Sequence, residues 1–412
     1  MTSLTQRWGW ISKKGLGAAA LMLAAALASG TLATQSAQAA TFTALYGFQE
    51  PPDGSLPFAG LLQDGAGNLY GTTATGGSFG EGTVFKLDPN GTETVLYSFT
   101  GGTDGGMPFA GVIEDAAGNL YGTTFNGGDP SSMTGVVYKL DTSGAETVLH
   151  AFPYAKTDGC YPRAGLLLDQ AGNLYGTTTD CGAFGFGTVF KIDTSGTETL
   201  LHSFAAGSSD GAFPYYGTLL MDTDGNLYGV TEGGGSGNCS GGNGCGVVYE
   251  LSQSGELTVL HSFAGGTTDG CIPAGTLAVD KSGNFYGTAT SCGSHNMGIV
   301  WNLSNGQETV LHNFAGGKKD GNDPMAGVIL DAKGNLYGDT FVGGGKGCYS
   351  GTGCGTVYKL NTKGKLSLLH RFVFTDGQLP VGGLIRDEAG NLYGTAANGG
   401  NDGNGTVWKI TP

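Results

Sequence analysis

Seven copies of Asp-Gly-x-x-Pro are the most regular chemistry-bearing feature of this chain. Their carboxylates are Asp53, Asp104, Asp158, Asp210, Asp269, Asp320 and Asp376, each with Gly next and Pro four positions on. A ring of seven carboxylates could bind cations or shape a polar ligand site. Asp in such a turn also caps its own backbone, and Pro fixes the entry to the following strand. Because every copy carries the motif, the capping role is the favoured reading. A second series, Asp64, Asp115, Asp169, Asp222, Asp280, Asp331 and Asp387, precedes a Gly-Asn turn. In its fourth copy, Asp222-Thr223-Asp224-Gly225-Asn226 resembles the start of a calcium loop. A full loop needs further oxygen ligands and a distal Glu, yet Leu227-Tyr228-Gly229 reads on as a strand. The expectation is therefore no metal and no cofactor, with calcium at this loop as the one exception weighed.

Five histidines, His150, His202, His261, His312 and His370, share one repeat position, filled elsewhere by Tyr46 and Tyr97. Each belongs to a different repeat, so they are read as packing residues that do not converge on one metal. His295, in the loop after Cys292, is the irregular one, and a lone loop histidine is weak support for catalysis. No Gly-x-Ser-x-Gly, His-Glu-x-x-His or phosphate-binding Gly loop is present, and no catalytic residue is assigned. The ligand-binding candidates are loop residues: Asp158, Tyr161, Phe184, Phe186, Asp210, Phe213, Tyr215, Phe341 and Tyr349, with Phe79 and Phe125 as further loop aromatics. Trp301 and Trp408 occupy a strand position that is Phe or Tyr in other repeats, so they offer no free platform for a sugar.

The eight cysteines pair by spacing. Cys160 and Cys181 lie 21 residues apart, as do Cys271 and Cys292; Cys239–Cys245 and Cys348–Cys354 are each six apart. Four disulfides are predicted, with the longer loops contributing ~3 kcal/mol each and the shorter ones ~2 in the chain-entropy model. Such pairing belongs to an oxidising compartment. Residues 1–39 agree: Arg7, Lys13 and Lys14 precede an apolar run from Gly15 to Ser29, and Ala37-Gln38-Ala39 is a cleavage site. That is the pattern of a secretory signal peptide. Without its three basic residues, sixteen basic residues stand against 34 acidic ones, a net charge of about −18. A surface of that sign disfavours nucleic acid, and nothing after residue 40 is apolar for long enough to span a bilayer as a helix.

The elements that must position these residues follow from the repeat. Gly-Asn-Leu-Tyr-Gly-Thr-Thr and close copies recur around Tyr70, Tyr121, Tyr175, Tyr228, Tyr286, Tyr337 and Tyr393, 51 to 58 residues apart. A period of this length is one supersecondary unit stacked many times. In the third unit, Ala164–Asp169, Leu174–Thr178, Gly187–Asp193 and Glu198–Phe204 read as four short strands separated by turn residues. Gly176 in mid-strand is expected to let a neighbouring sheet approach closely. Seven four-stranded antiparallel sheets set radially form an all-β, seven-bladed β-propeller over residues 40–412. Thr41–Phe48 matches a fourth strand, and the chain ends after Gly405–Ile410, a third strand. The N-terminal strand should therefore complete the last blade and leave no free sheet edge.

The pattern Ala-Gly-Leu-Leu, Asp, Gly-Asn-Leu-Tyr-Gly-Thr-Thr, Gly-Gly, Gly-Thr-Val-Phe-Lys-Leu resembles the Gloeobacter/Verrucomicrobium (GloVer) tandem repeat of exported bacterial proteins, over essentially all of residues 42–412. Some members of that family carry C-terminal surface-sorting anchors, which the residues before Pro412 do not match. The strand layout is also similar to NHL-type propellers, a likeness of fold only. On the NHL-like order, the Asp-Gly-x-x-Pro loops share a face with the loops between second and third strands. The functional expectation is an exported, non-enzymatic binding module, secreted, periplasmic or at the cell surface, monomeric, with a polysaccharide, peptide or protein partner. The alternatives are a carbohydrate-active hydrolase or lyase with carboxylates at the propeller mouth, and a structural surface repeat protein.

Overall fold

The computed structural model describes residues 40–239, 242–345, 347–348 and 351–412. The expected signal peptide and Tyr349 lie outside them. Each repeat forms one antiparallel sheet whose strands pair in chain order. In blade 3 these are Leu167–Leu168, Leu174–Thr178, Thr188–Ile192 and Glu198–Ser203. Seven such blades close into a ring. The seventh consists of Ile385–Arg386, Leu392–Ala396 and Thr406–Thr411, and Thr41–Gly47 pairs on as its outermost strand, with Phe42 opposite Ile410. The predicted closure by the N-terminal strand is thus observed. Among the described residues the one helical segment is a single 3-10 turn, Gly317–Lys319, and no helix is long and apolar enough to cross a membrane.

The turn between first and second strands is built by the second Asp series. Asp169 Oδ1 accepts the N–H groups of Ala171 and Asn173 at 2.9 and 2.8 Å. Its Oδ2 accepts from Asn173 Nδ2 at 2.7 Å and from the Tyr175 hydroxyl at 3.1 Å. Burial works against ionising this carboxyl, but the hydrogen bonds outweigh it and hold it below the usual range. Asp222 makes the same four bonds, to Asp224, Asn226 and Tyr228. Both of its oxygens are thereby engaged within the turn.

The blades adhere through paired rings. The third strands contribute Phe85, Tyr138, Phe190, Tyr249, Trp301, Tyr358 and Trp408, all fully buried. Each meets, edge on, a Phe that ends the preceding blade's outer strand, from Phe48–Phe85 at 5.1 Å between centroids to Phe372–Trp408 at 5.6 Å. Edge-to-face pairs of this kind are each worth ~0.5–1.5 kcal/mol beyond the area they bury. Gly176 has a different reason from the expected one. A Cβ there would lie 2.5 Å from Phe190 Cζ, so the glycine makes room for the ring across from it in its own blade. The neighbouring blade is admitted instead at Gly187, whose φ is +91° and whose Cβ position is crowded by Pro214 of the next Asp-Gly-x-x-Pro at 2.8 Å.

All four predicted disulfides are present: Cys160–Cys181, Cys239–Cys245, Cys271–Cys292 and Cys348–Cys354. No cysteine is free. Four bridges point to an oxidising environment.

Candidate functional site at the loop face

The two loop types meet on one face, held together by short ladders. Gly159–Cys160 pairs with Asp180–Cys181, and Gly211–Ala212 with Gly233–Gly234. In blade 5 the ladder is continuous with the blade itself, Gly270–Val279 against Phe285–Cys292. The residue before Pro in every motif copy is left-handed: Leu56, Met107, Tyr161, Phe213, Ile272, Asp323 and Leu379, with φ between 53° and 61°. That conformation is costly for bulky residues and persists only where the surroundings over-determine it. Here the Tyr161 N–H bonds the Thr134 carbonyl of the preceding blade, and the Tyr161 carbonyl accepts the N–H of Thr179. The Phe213 N–H likewise bonds the Phe186 carbonyl, and its carbonyl accepts from Glu232. These backbone bonds fix the residue before each Pro on the loop face.

The residues that follow the Pro are Phe58, Phe109, Arg163, Tyr215, Ala274, Met325 and Val381; Phe58, Phe109, Arg163, Met325 and Val381, together with Tyr216, line the central channel, whose volume is about 880 Å³. Its symmetry breaks around Arg163. The guanidinium lies 4.5, 4.4 and 4.3 Å from the ring centroids of Phe109, Phe125 and Tyr215, an aromatic enclosure favourable to a cation. The rings continue on both sides, Phe125 to Tyr161 at 4.9 Å and Tyr215 to Tyr216 at 4.3 Å. Burial pushes Glu232 up to about 7, with Arg163 pulling the other way. Burial also pushes Asp323 up to about 6.

The candidate residues fall into three groups. Tyr161 and Tyr215 belong to the Arg163 cluster. Phe186 and Phe213 meet edge-on at 5.5 Å, Phe341 packs beside Val342, Leu379 and Ala397, and Phe184 stands exposed. Asp158 and Asp210 are turned away from the mouth. Asp158 accepts from the Gly159 N–H at 2.6 Å and contacts His150 Nε2 at 3.0 Å; Asp210 accepts from the Ala205 and Gly211 N–H groups and contacts His202. The shared-position histidines thus do more than pack: each lies edge-on to the Phe two residues on, as His150 does to Phe152, and most also bond a motif Asp. Arg163, Glu232, Phe58, Phe109 and Tyr216 escaped the sequence reading. The signal that could have found them is a break in the repeat at single positions, since the residue after Pro is charged in one blade alone.

One further break lies behind the channel wall. Thr72, Thr123, Thr177, Thr288 and Thr395 each donate a hydroxyl to a carbonyl of the next blade's inner segment, at 2.8–3.3 Å. Blade 4 has Val230 there, and blade 6 has Asp339. Asp339 is 1% exposed, neither carboxylate oxygen has a hydrogen-bond partner, and burial pushes it up to about 8. Burial thus favours its uncharged form, at a place where five other blades put a donor.

The sequence profile of the Gloeobacter/Verrucomicrobia repeat matches residues 24–241 and 237–412. No curated protein sequence matches the chain. Among solved structures, the extracellular domain of a proposed hybrid two-component system from B. thetaiotaomicron superposes with a TM-score of 0.55 at 14% identity, over 89% of this chain and 39% of that one. A proposed 6-phosphogluconolactonase from Bacteroides uniformis gives 0.50 at 16%, over 79% and 87%. A Xanthomonas campestris gluconolactonase gives 0.44 at 14%, over 90% and 89%. At these identities the likeness is one of fold.

Proposed function

The chain belongs to the Gloeobacter/Verrucomicrobia repeat family, and from that premise we propose that it is an exported, non-enzymatic binding propeller whose loop face takes a polysaccharide chain. One observation carries this reading. The exposed large apolar side chains among the described residues, Phe79, Met133, Tyr154, Phe184, Tyr216, Val373 and Phe374, all belong to the loops of that face or to the channel mouth. The opposite face is made of Asp-, Asn-, Ser- and Gly-rich turns. The rings among them, Phe79, Tyr154, Phe184, Tyr216 and Phe374, come from the loops of different blades, which suits stacking on successive sugar units better than a protein interface, whose centre is a contiguous apolar patch. Export is supported by the charged, apolar and small-residue order of residues 1–39 and by the four disulfides.

The test is a retention screen of the oxidised protein on insoluble and soluble polysaccharides, with product release followed in the same wells. Saturable retention that weakens in Phe184→Ala and Tyr154→Ala, without released sugar, is the expected result. Absence of retention on every polysaccharide sinks the saccharide reading. A second reading, a hydrolase or lyase, is favoured by Glu232 and Asp323, two mouth acids whose burial holds them protonated nearer neutrality than ordinary carboxyls. Released oligosaccharides, abolished in Glu232→Gln, would select it.

A further inference from the structure

Each seam between blades brings an outer-strand His or Tyr to the motif Asp that follows it. At six seams the pair is closed: Tyr46–Asp53, Tyr97–Asp104, His150–Asp158, His202–Asp210, His312–Asp320 and His370–Asp376 lie at 2.7 to 3.2 Å. At the seam of blades 4 and 5 it is open. His261 Nε2 stands 3.8 Å from Asp269 Oδ2 and, although buried, has no hydrogen-bond partner. From the next blade's outer strand comes Glu308, whose Oε1 is also buried and unpartnered. One ligand atom from each of the three residues lies within 4.8 Å of the others.

We propose that His261, Asp269 and Glu308 bind a divalent transition-metal cation, Zn²⁺ foremost. One imidazole nitrogen with two carboxylate oxygens is a donor set for a borderline cation, whereas Ca²⁺ and Mg²⁺ take oxygen alone. Two desolvated lone pairs without partners are costly, and a cation between them would satisfy both. The site is reachable, with the His261 and Asp269 side chains 17% and 13% exposed. Neighbouring seams show why only this one qualifies. Where Glu308 stands, the seams of His202 and His312 have Leu257 and Leu366. The seam of His370 has Phe42, stacked on the imidazole at 3.8 Å. At the seam of His150 an equivalent Glu198 is present, but His150 Nε2 is already closed on Asp158 at 3.0 Å. No thiolate competes, because every cysteine is bridged. The proposal departs from the metal-free expectation, which asked whether histidines converge with one another and not whether each meets two carboxylates.

The experiment is calorimetric titration of chelator-treated, oxidised protein with ZnCl₂, alongside Glu308→Gln, His261→Asn and the control Glu198→Gln. Wild type should take up one Zn²⁺ per chain at micromolar concentration or tighter. Uptake should weaken at least ~30-fold in the first two variants and stay unchanged in the control. Thermal melting of each metal-free variant checks the fold. If a variant does not fold, anomalous density at the zinc edge in zinc-soaked wild-type crystals decides, expected within bonding distance of His261 Nε2. No uptake, uptake indifferent to Glu308→Gln, equal loss in Glu198→Gln, or zinc density elsewhere overturns the assignment.

Discussion

Replacing Asp339 by Asn should make the propeller more stable, by an amount that grows with pH. Asp339 is fully buried in the second strand of blade 6, facing the seam where five other blades place a Thr hydroxyl. Burial raises its pKa from 3.8 to about 8 against a smaller opposing pull from its own backbone N–H, and no other residue offers its oxygens a hydrogen bond. For an acid whose folded value lies above its unfolded value, the folded chain keeps a proton that the unfolded chain releases. Stability contributed by the neutral acid is therefore full below the unfolded pKa and falls as pH rises, until the folded pKa is passed. Each unit within that window costs ~1.4 kcal/mol. Between pH 5 and pH 8 the gap between Asn variant and wild type should widen by roughly 4 kcal/mol. For a chain of this length that is roughly 4–8 °C in Tm. The assay is thermal and denaturant unfolding of both proteins at pH 5, 6, 7 and 8 under non-reducing conditions. Other titrating groups move both curves alike, so the difference isolates this residue. Asp339→Thr, which restores the hydroxyl of the other blades, should behave as Asn does. Parallel pH profiles for wild type and both variants would refute the reasoning, since they would mean that Asp339 is ionised or hydrated in the folded chain.

Three shorter predictions follow from the same structure. The Tyr138 and Tyr249 hydroxyls are buried without partners, at a position where blades 1 and 3 have Phe; Tyr138→Phe and Tyr249→Phe should each stabilise by ~1 kcal/mol in equilibrium unfolding. Opening Cys160–Cys181 by double substitution to Ser should cost ~3 kcal/mol, read as a lowered denaturant midpoint, with the ring still closed by circular dichroism. Arg163→Met keeps most of the side chain's bulk but removes the charge enclosed by Phe109, Phe125 and Tyr215; polysaccharide retention should fall at least ~5-fold, as expected if ~1 kcal/mol of cation–aromatic ordering is lost, while unchanged retention would take the mouth out of the binding site.

What was legible in the sequence is what the repeat states seven times. The Asp169–Asn173–Tyr175 turn, the strand order and the N-terminal strand against Ile410 follow from local chemistry that recurs in register, so each copy checks the others. The disulfides were legible for the same reason, because equal spacing at equal repeat positions places Cys160–Cys181 and Cys271–Cys292 in equivalent geometry. Averaging over copies also hides function. It drew attention to the motif Asp ring, whose carboxylates the structure spends on their own turns and on His150, His202 and their counterparts. It drew attention away from Arg163, Glu232 and Asp339, each a single departure at a position otherwise filled by uncharged residues. A departure has no periodic partner to vouch for it. Its meaning depends on which side chains from two or three blades surround it, and only the ring's closure brings those together. In a propeller this regular, the residues to mutate first are therefore the ones the consensus fails to predict.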